Sequence, residues 1–453
     1  MILGVPRSLV ARLGWTTLGY GGVQALRLLN NVILTRLLAP QIFGVMALVN
    51  AIRVGIELLS DVGIVQNIVS NPRGGDKDFQ DTAWTLQAAR GILLGLCCVA
   101  LARPLGSFFD SPDLATFLPL ASLFFVFGGF SSTAHGLVQK ELKIARFSMF
   151  EVGLAVVTLF IHVVVVLLTP TVGGLVLASV ITSAAGMIMS YLYIPGMRHR
   201  FTIDIGITAQ LLKFGRWVFL SSIVYFFAMN FDRLYFAKQI TFAQLGVYGI
   251  ARGLADMISL FVLRCSTSVL FPTIAAAGLA PVELRQKILR GRRTLMAGAA
   301  FAIGAFLALS PLAVRILYDP RYHDAGAIVQ ILCVGLWFST LTATNDSILL
   351  GLRRPAYPAL SNTAKLLTYI VGVPLAFAYS GFTAAIAVIS AGEVVKYAAL
   401  WALSHKEHLR FGRDDLVLTI IFAVTAIAGA EIVHAIGLGG GSLYAQLLVM
   451  TGL

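Results

Sequence analysis

SMFEVGLAVVTLFIHVVVVLL, residues 148–168, carries one acid and one histidine in an otherwise apolar or small-residue run. Coiled as a helix it is about 30 Å long, the thickness of a bilayer's hydrocarbon core. Blocks of this kind recur on both sides of it. The spacing predicts spans at 13–37, 43–69, 83–103, 114–138, 148–168, 172–195, 212–236, 243–270, 294–316, 325–350, 358–378, 382–403 and 415–436. None shows the period-two alternation, in runs of about ten residues, of an outer-membrane barrel strand. Of the 453 residues, 58% are hydrophobic and 12% charged, against roughly 25% charged in a soluble domain. The fold class is therefore all-α, a polytopic membrane protein.

Basic residues in short loops resist translocation, so their placement sets orientation. With the N-terminus in the cytoplasm, 21 of the 34 Lys and Arg residues fall on the cytoplasmic side, among them Arg292, Arg293, Arg353 and Arg354. Only Arg103, Lys238, Arg315 and Arg321 fall outside, and nine lie within spans. The net charge of +13 is mostly this topology signal, so nucleic acid is not an expected partner. The N-terminal apolar stretch contains Gln24, Arg27, Asn30 and Asn31 and reads as a retained first span rather than a cleaved signal. The four cysteines, Cys97, Cys98, Cys265 and Cys333, have no metal spacing and read as small core residues. Residues 441–453 are too short for a normal span and suit a half-crossing or an interfacial helix.

A shift of 202 residues superimposes Phe43-Gly44-Val45 on Leu245-Gly246-Val247, each opening a span after a basic residue and a short turn. The first two spans thus match spans seven and eight, an even offset that keeps both halves in one orientation. The expected organisation is a six-helix lobe at 1–197, a cytoplasmic interfacial linker at 198–211, a second six-helix lobe at 212–403, and one or two extra helices at 404–453.

The same residues carry a likeness. LTRLLAPQIFGVMAL at 34–48 and LLSDVGIVQNIVS at 58–70 resemble the opening of Wzx-type polysaccharide and oligosaccharide flippases. LLKFG at 211–215, FDRLYFAKQITFAQLGVYGIA at 231–251, LFPTIAAA at 270–277 and ILYDPRYHDAG at 316–326 extend the resemblance over most of the chain. It implies a V-shaped, two-lobe exporter of the superfamily shared with multidrug exporters and the lipid II flippase. The cargo it implies is an undecaprenyl-diphosphate-linked oligosaccharide, flipped in a bacterial inner membrane for surface or exopolysaccharide biosynthesis. Membrane lipids and polysaccharide polymerase machinery are the other expected partners.

Charged side chains inside a bilayer are costly and face a cavity, a partner or a pathway. In the first span Thr17, Tyr20, Gln24, Arg27, Asn31 and Thr35 form one polar face, which suits a water-filled wall. Pairing of Arg27 with an acid between helices is the competing reading. Arg53, Glu57 and Asp61 share a face of the second span, where Arg53 and Glu57 also have the spacing of an intrahelical pair. Arg252 and Asp256 repeat that spacing in the eighth, with Arg264 further on. Arg90, Asp346, Lys365 and the close pair Glu393 with Lys396 lie in other spans. The candidate substrate-binding set is Gln24, Arg27, Asn31, Arg53, Arg90, Arg252, Arg264 and Lys365, because a positively biased lumen suits a diphosphate. The candidate ion-coupling acids are Glu57, Asp61, Asp256 and Asp346. No GxxxxGK[ST] loop, metal spacing or large outer loop with catalytic candidates is present, so neither a cofactor nor an enzyme is expected. A multidrug exporter and a membrane-embedded glycan polymerase or transferase are the rivals. The first should carry acidic rather than basic residues in its early spans.

Overall fold

The computed structural model describes residues 7–60, 63–141, 144–192, 199–265, 281–351, 356–405 and 412–436. Asp61, the LFPTIAAA motif, the start of the linker and everything after residue 436 lie outside these. The described residues are helical with no strand, and nine of their helices are long and apolar enough to cross a membrane. Contacts divide the chain into unit 1, Met1–Gly246, and unit 2, Val247–Leu453.

Unit 1 begins with α1 (Arg7–Leu37) and α2 (Pro40–Leu58), the latter opened by a proline whose missing N–H costs nothing at a helix start. The span expected over 43–69 is broken. Gly63, at φ 63°, takes a left-handed conformation that a side chain would resist, and short α3 (Ile64–Ser70) follows at a new angle. Next come α4 (Lys77–Phe108), α5 (Pro112–Ala121), α6 (Leu123–Phe130) and α7 (Ala134–Lys140). The span expected over 114–138 therefore ends at Phe130, where Ser131 adopts an extended conformation. α8 (Ile144–Leu168), α9 (Val172–Leu192) and α10 (Ile205–Gln239) complete the unit with the first turn of α11 (Phe242–Cys265).

α1 packs on α8, α4 on α5 and α6, α8 on α9, and α10 on α2. The Gly91-xxx-Gly95 spacing of α4 predicts close helix packing, and a β-carbon on Gly91 would collide with the Phe125 carbonyl and Gly129 of α6. A second close approach joins the two copies of the repeat. A β-carbon on Gly44 would overlap the carbonyl oxygen of Phe242, and one on Gly246 would overlap that of Pro40. Under the 202-residue shift these are equivalent contacts, each glycine meeting the residue four positions before the other, which is the counterpart of its own neighbour.

Unit 2 holds the rest of α11, then α12 (Pro281–Leu317), α13 (Ala325–Gly351), α14 (Ala356–Ser404) and α15 (Gly412–Ala435). α12 packs on α13 and α15, and α13 on α14. α14 is really two helices, parted at Gly381, whose φ of 77° matches the break expected between 378 and 382. Trp337 stacks on Phe422 and donates to Thr419 Oγ1 at 3.0 Å, fixing α13 to α15. Cys98 and Cys333 are buried as expected, but Cys97 is exposed because α4 turns adjacent residues to different faces.

Candidate functional site

The polar face of α1 separates into two environments. Gln24 is buried and donates from Nε2 to Tyr20 Oη at 2.5 Å, while buried Thr35 returns its hydroxyl to the Val32 carbonyl at 3.0 Å. Asn31 and Tyr20 are half-buried and Arg27 is exposed. The side chain of Thr17 lies outside those described. Arg27 forms no ion pair or hydrogen bond among the described residues. At 3.6 residues per turn it sits about 180° around α1 from Leu18 and Leu29, which are 74% and 46% exposed. Sequence reasoning missed Asn30, whose Nδ2 lies 3.3 Å from His162 Nδ1 on α8.

Arg53 has two neighbours. Its guanidinium is 3.5 Å from Glu57 and lies 3.9 Å from the centroid of the Phe124 ring. Arg90 donates to the Glu57 carbonyl at 2.6 Å and to Ser60 Oγ at 3.1 Å. It thereby satisfies the last turn of α2, where helix carbonyls have no partner of their own.

In unit 2 several of the described charges are matched. Lys365 of α14 is fully buried and donates to Glu393 at 2.5 Å, and Lys396 donates to Asp346 of α13 at 3.2 Å. Spacing alone suggested Glu393 with Lys396; the fold instead gives each a partner on another helix segment. Arg252 pairs with Asp256 at 3.1 Å, as their spacing predicts. These two line a small pocket together with Ser259, Ser339, Ser390 and Glu393. Arg264 is on α11, and its side chain lies outside those described. The pair missed by sequence is Arg292 with Asp415, 2.6 Å apart and 1% and 2% exposed. Tyr397 donates to the second Asp415 oxygen at 2.8 Å and Arg292 also reaches Asn345. Arg292 read as a loop base because the apolar run starts after it; α12 extends further back, to Pro281.

Outside the spans, His199 stacks on Trp84 at 5.4 Å and its Nε2 lies 2.9 Å from Ser132 Oγ. Burial holds its imidazole below the usual histidine range, while Asp81, 3.8 Å away, pulls the other way. Among the described residues no group of three or more His, Cys, Asp or Glu could hold a metal.

Long apolar helices, several of them carrying charges that pair between helix segments, define a polytopic α-helical membrane protein. Solved structures agree on the fold. The chain is similar to the lipid II flippase MurJ in an inward closed conformation, with a TM-score of 0.75 at 13% identity over 96% of both chains. It is also similar to an inward-facing multidrug resistance MATE family transporter, with a TM-score of 0.66 at 14% identity over 96% of this chain and 100% of that one. The chain belongs to the polysaccharide biosynthesis protein family, which it matches over residues 33–327. Among its relatives is the lipopolysaccharide biosynthesis protein WzxC of Escherichia coli (strain K12), 23% identical over 71% of this chain and 65% of WzxC. The chain thus spans slightly less than two thirds of that relative's length.

Proposed function

We propose that this chain is a flippase that moves an undecaprenyl-diphosphate-linked oligosaccharide from the cytoplasmic to the periplasmic leaflet of a bacterial inner membrane by alternating access. The N-terminus is cytoplasmic, the lobes are residues 1–197 and 212–403 joined by the linker at 198–211, and the task is transport rather than catalysis. Family membership supports the polysaccharide setting. The observation that carries the cargo chemistry is Arg27, an exposed guanidinium with no ion pair among the described residues, on the α1 face turned away from Leu18 and Leu29. A planar fork of donors suits a diphosphate, which it can hold by paired charge-assisted hydrogen bonds. Gln24, Asn31, Arg53, Arg90, Arg252, Arg264 and Lys365 are the further candidate contacts. Outward movement of one negative charge down an inside-negative potential yields about 2.3 kcal/mol per 100 mV, so ATP is not required. Glu57, Asp61, Asp256 and Asp346 are the acids through which an ion could couple.

The test is surface polysaccharide in a strain lacking its own copy of the gene, normalised to the amount of this protein in the membrane. Arg27→Ala should cut polysaccharide roughly tenfold or more, the loss of a charge-assisted hydrogen bond or two, and Arg27→Lys should fall between. Normal polysaccharide from Arg27→Ala at normal abundance overturns the role of this residue. The MATE likeness of the fold gives a second reading, export of organic cations, which predicts that cells expressing the chain clear ethidium and that Arg27→Ala does not impair clearance.

A further inference from the structure

The segment 199–204 is not helical, yet it is firmly held on one side. Its alternate backbone N–H groups donate to α4: Arg200 to Asp81 Oδ1 at 3.2 Å, Thr202 to Thr85 Oγ1 at 3.1 Å and Asp204 to Thr82 Oγ1 at 3.3 Å. The Asp204 side chain then caps α10 through Ile207 N at 2.8 Å. Inward-facing Ile207 and Leu211 join Ile64, Ile68, Phe79 and Ala83 in a buried cluster.

The other side of the same segment is apolar and largely uncovered, with Phe201 touching the Trp84 ring at one edge, 4.8 Å between centroids. Phe201 is 71%, Ile203 65% and Ile205 85% exposed, followed on the outer face of α10 by Leu212 at 51% and Phe219 at 41%. Three large apolar side chains two residues apart, continued at helical spacing, form one strip. Leu212 and Phe219 follow Ile205 at seven-residue steps, so the strip runs on from the segment along one face of α10. Two exposed bases, Arg200 and Lys213, flank the strip without an ion pair among the described residues. The nearest acid in the segment, Asp204, is committed to its cap.

We propose that Phe201, Ile203, Ile205 and Leu212 insert at the headgroup boundary of the bilayer while Arg200 and Lys213 bind anionic phospholipid headgroups. Apolar side chains on one face with bases beside them are what an interfacial segment needs, each base adding attraction to an anionic surface. The strip thereby seats the linker on the membrane independently of what cargo the protein carries.

The test uses the full chain, its four cysteines replaced, with a nitroxide on a single introduced cysteine at Ile203 or Ile205, reconstituted in nanodiscs. Collisions with dissolved oxygen report the apolar phase and collisions with a water-soluble nickel complex report water. Labels at exposed Asp78 and at exposed Leu93 give the water and lipid references. In phosphatidylglycerol nanodiscs the labels at 203 and 205 should match Leu93. In phosphatidylcholine, or with Arg200→Gln and Lys213→Gln together, the ratio of inserted to free label should fall roughly fivefold per base. Labels that match Asp78 in both lipids overturn insertion, and labels shielded from both reagents overturn it in favour of a protein cover. Insertion that ignores both the lipid charge and the Gln variants overturns the headgroup assignment. Gel filtration of each labelled variant confirms that the fold is intact.

Discussion

Units 1 and 2 both keep basic side chains in membrane-spanning helices, and they deal with them in different ways. In unit 2, Lys365, Lys396, Arg252 and Arg292 each have a carboxylate within 3.2 Å. In unit 1, Arg53 divides its charge between Glu57 and an aromatic face, Arg90 serves the end of α2, and Arg27 has no carboxylate among the described residues. A base matched by a buried acid is electrically closed and belongs to the architecture. An unmatched base persists only where water or an anion reaches it. On the flippase reading proposed above, the difference separates charges that hold the protein together from the one offered to a cargo.

The sharpest way to break this contrast is Arg292→Ala. It leaves Asp415 buried and uncompensated, which costs about 3 to 5 kcal/mol, so folded protein recovered in detergent should drop severely. Asp415→Asn in the same chain should recover part of the loss. Undiminished thermal stability of Arg292→Ala would mean that unit 2 does not depend on its pairs. Next in size is Gly44→Val in unit 1, where a side chain would meet the Phe242 backbone. An overpacked contact of that kind costs about 1 to 3 kcal/mol, to be read as a lowered unfolding midpoint with Ala intermediate. Smaller still is the stability effect of Arg27→Met, within about 0.5 kcal/mol of the parent, although export is lost. A large loss of stability would return Arg27 to the architectural class.

The smallest expected effect is a pH dependence at His199. Its folded imidazole titrates below the ordinary value of 6.5 because it is buried. The unfolded segment therefore binds the proton more readily, and stability is lost as pH falls through the ordinary value toward the folded one. Amide exchange over 199–211, corrected for its intrinsic rate, should quicken between about pH 7.5 and pH 5.5. His199→Gln should make that profile flat.

Much of the fold was legible because span length and basic loops are local signals. The break at Gly381 could be read from a short interruption, Tyr379-Ser380-Gly381, between two apolar runs. The break at Gly63 could not, because LLSDVGIV reads as one span with Asp61 as a functional charge inside it, and only the backbone angle of Gly63 reveals the turn. The site was legible to the same extent. Arg252 with Asp256 follows from helical spacing, whereas Lys365 with Glu393 and Arg292 with Asp415 join distant positions that only packing selects. Spacing placed Gln24, Arg27 and Thr35 on one face, but it could not tell which would be covered by neighbours.

The paired glycines 44 and 246 have a consequence for how this sequence can change over generations. Each is pressed against the backbone of the residue four positions before the other, so the two stretches read one another at a shared point. Elsewhere one copy can diverge while the other stands still. Here a side chain gained in either copy is opposed by main chain, which no replacement in the partner can trim, so both copies remain bound to glycine however far the rest of the two halves drift apart.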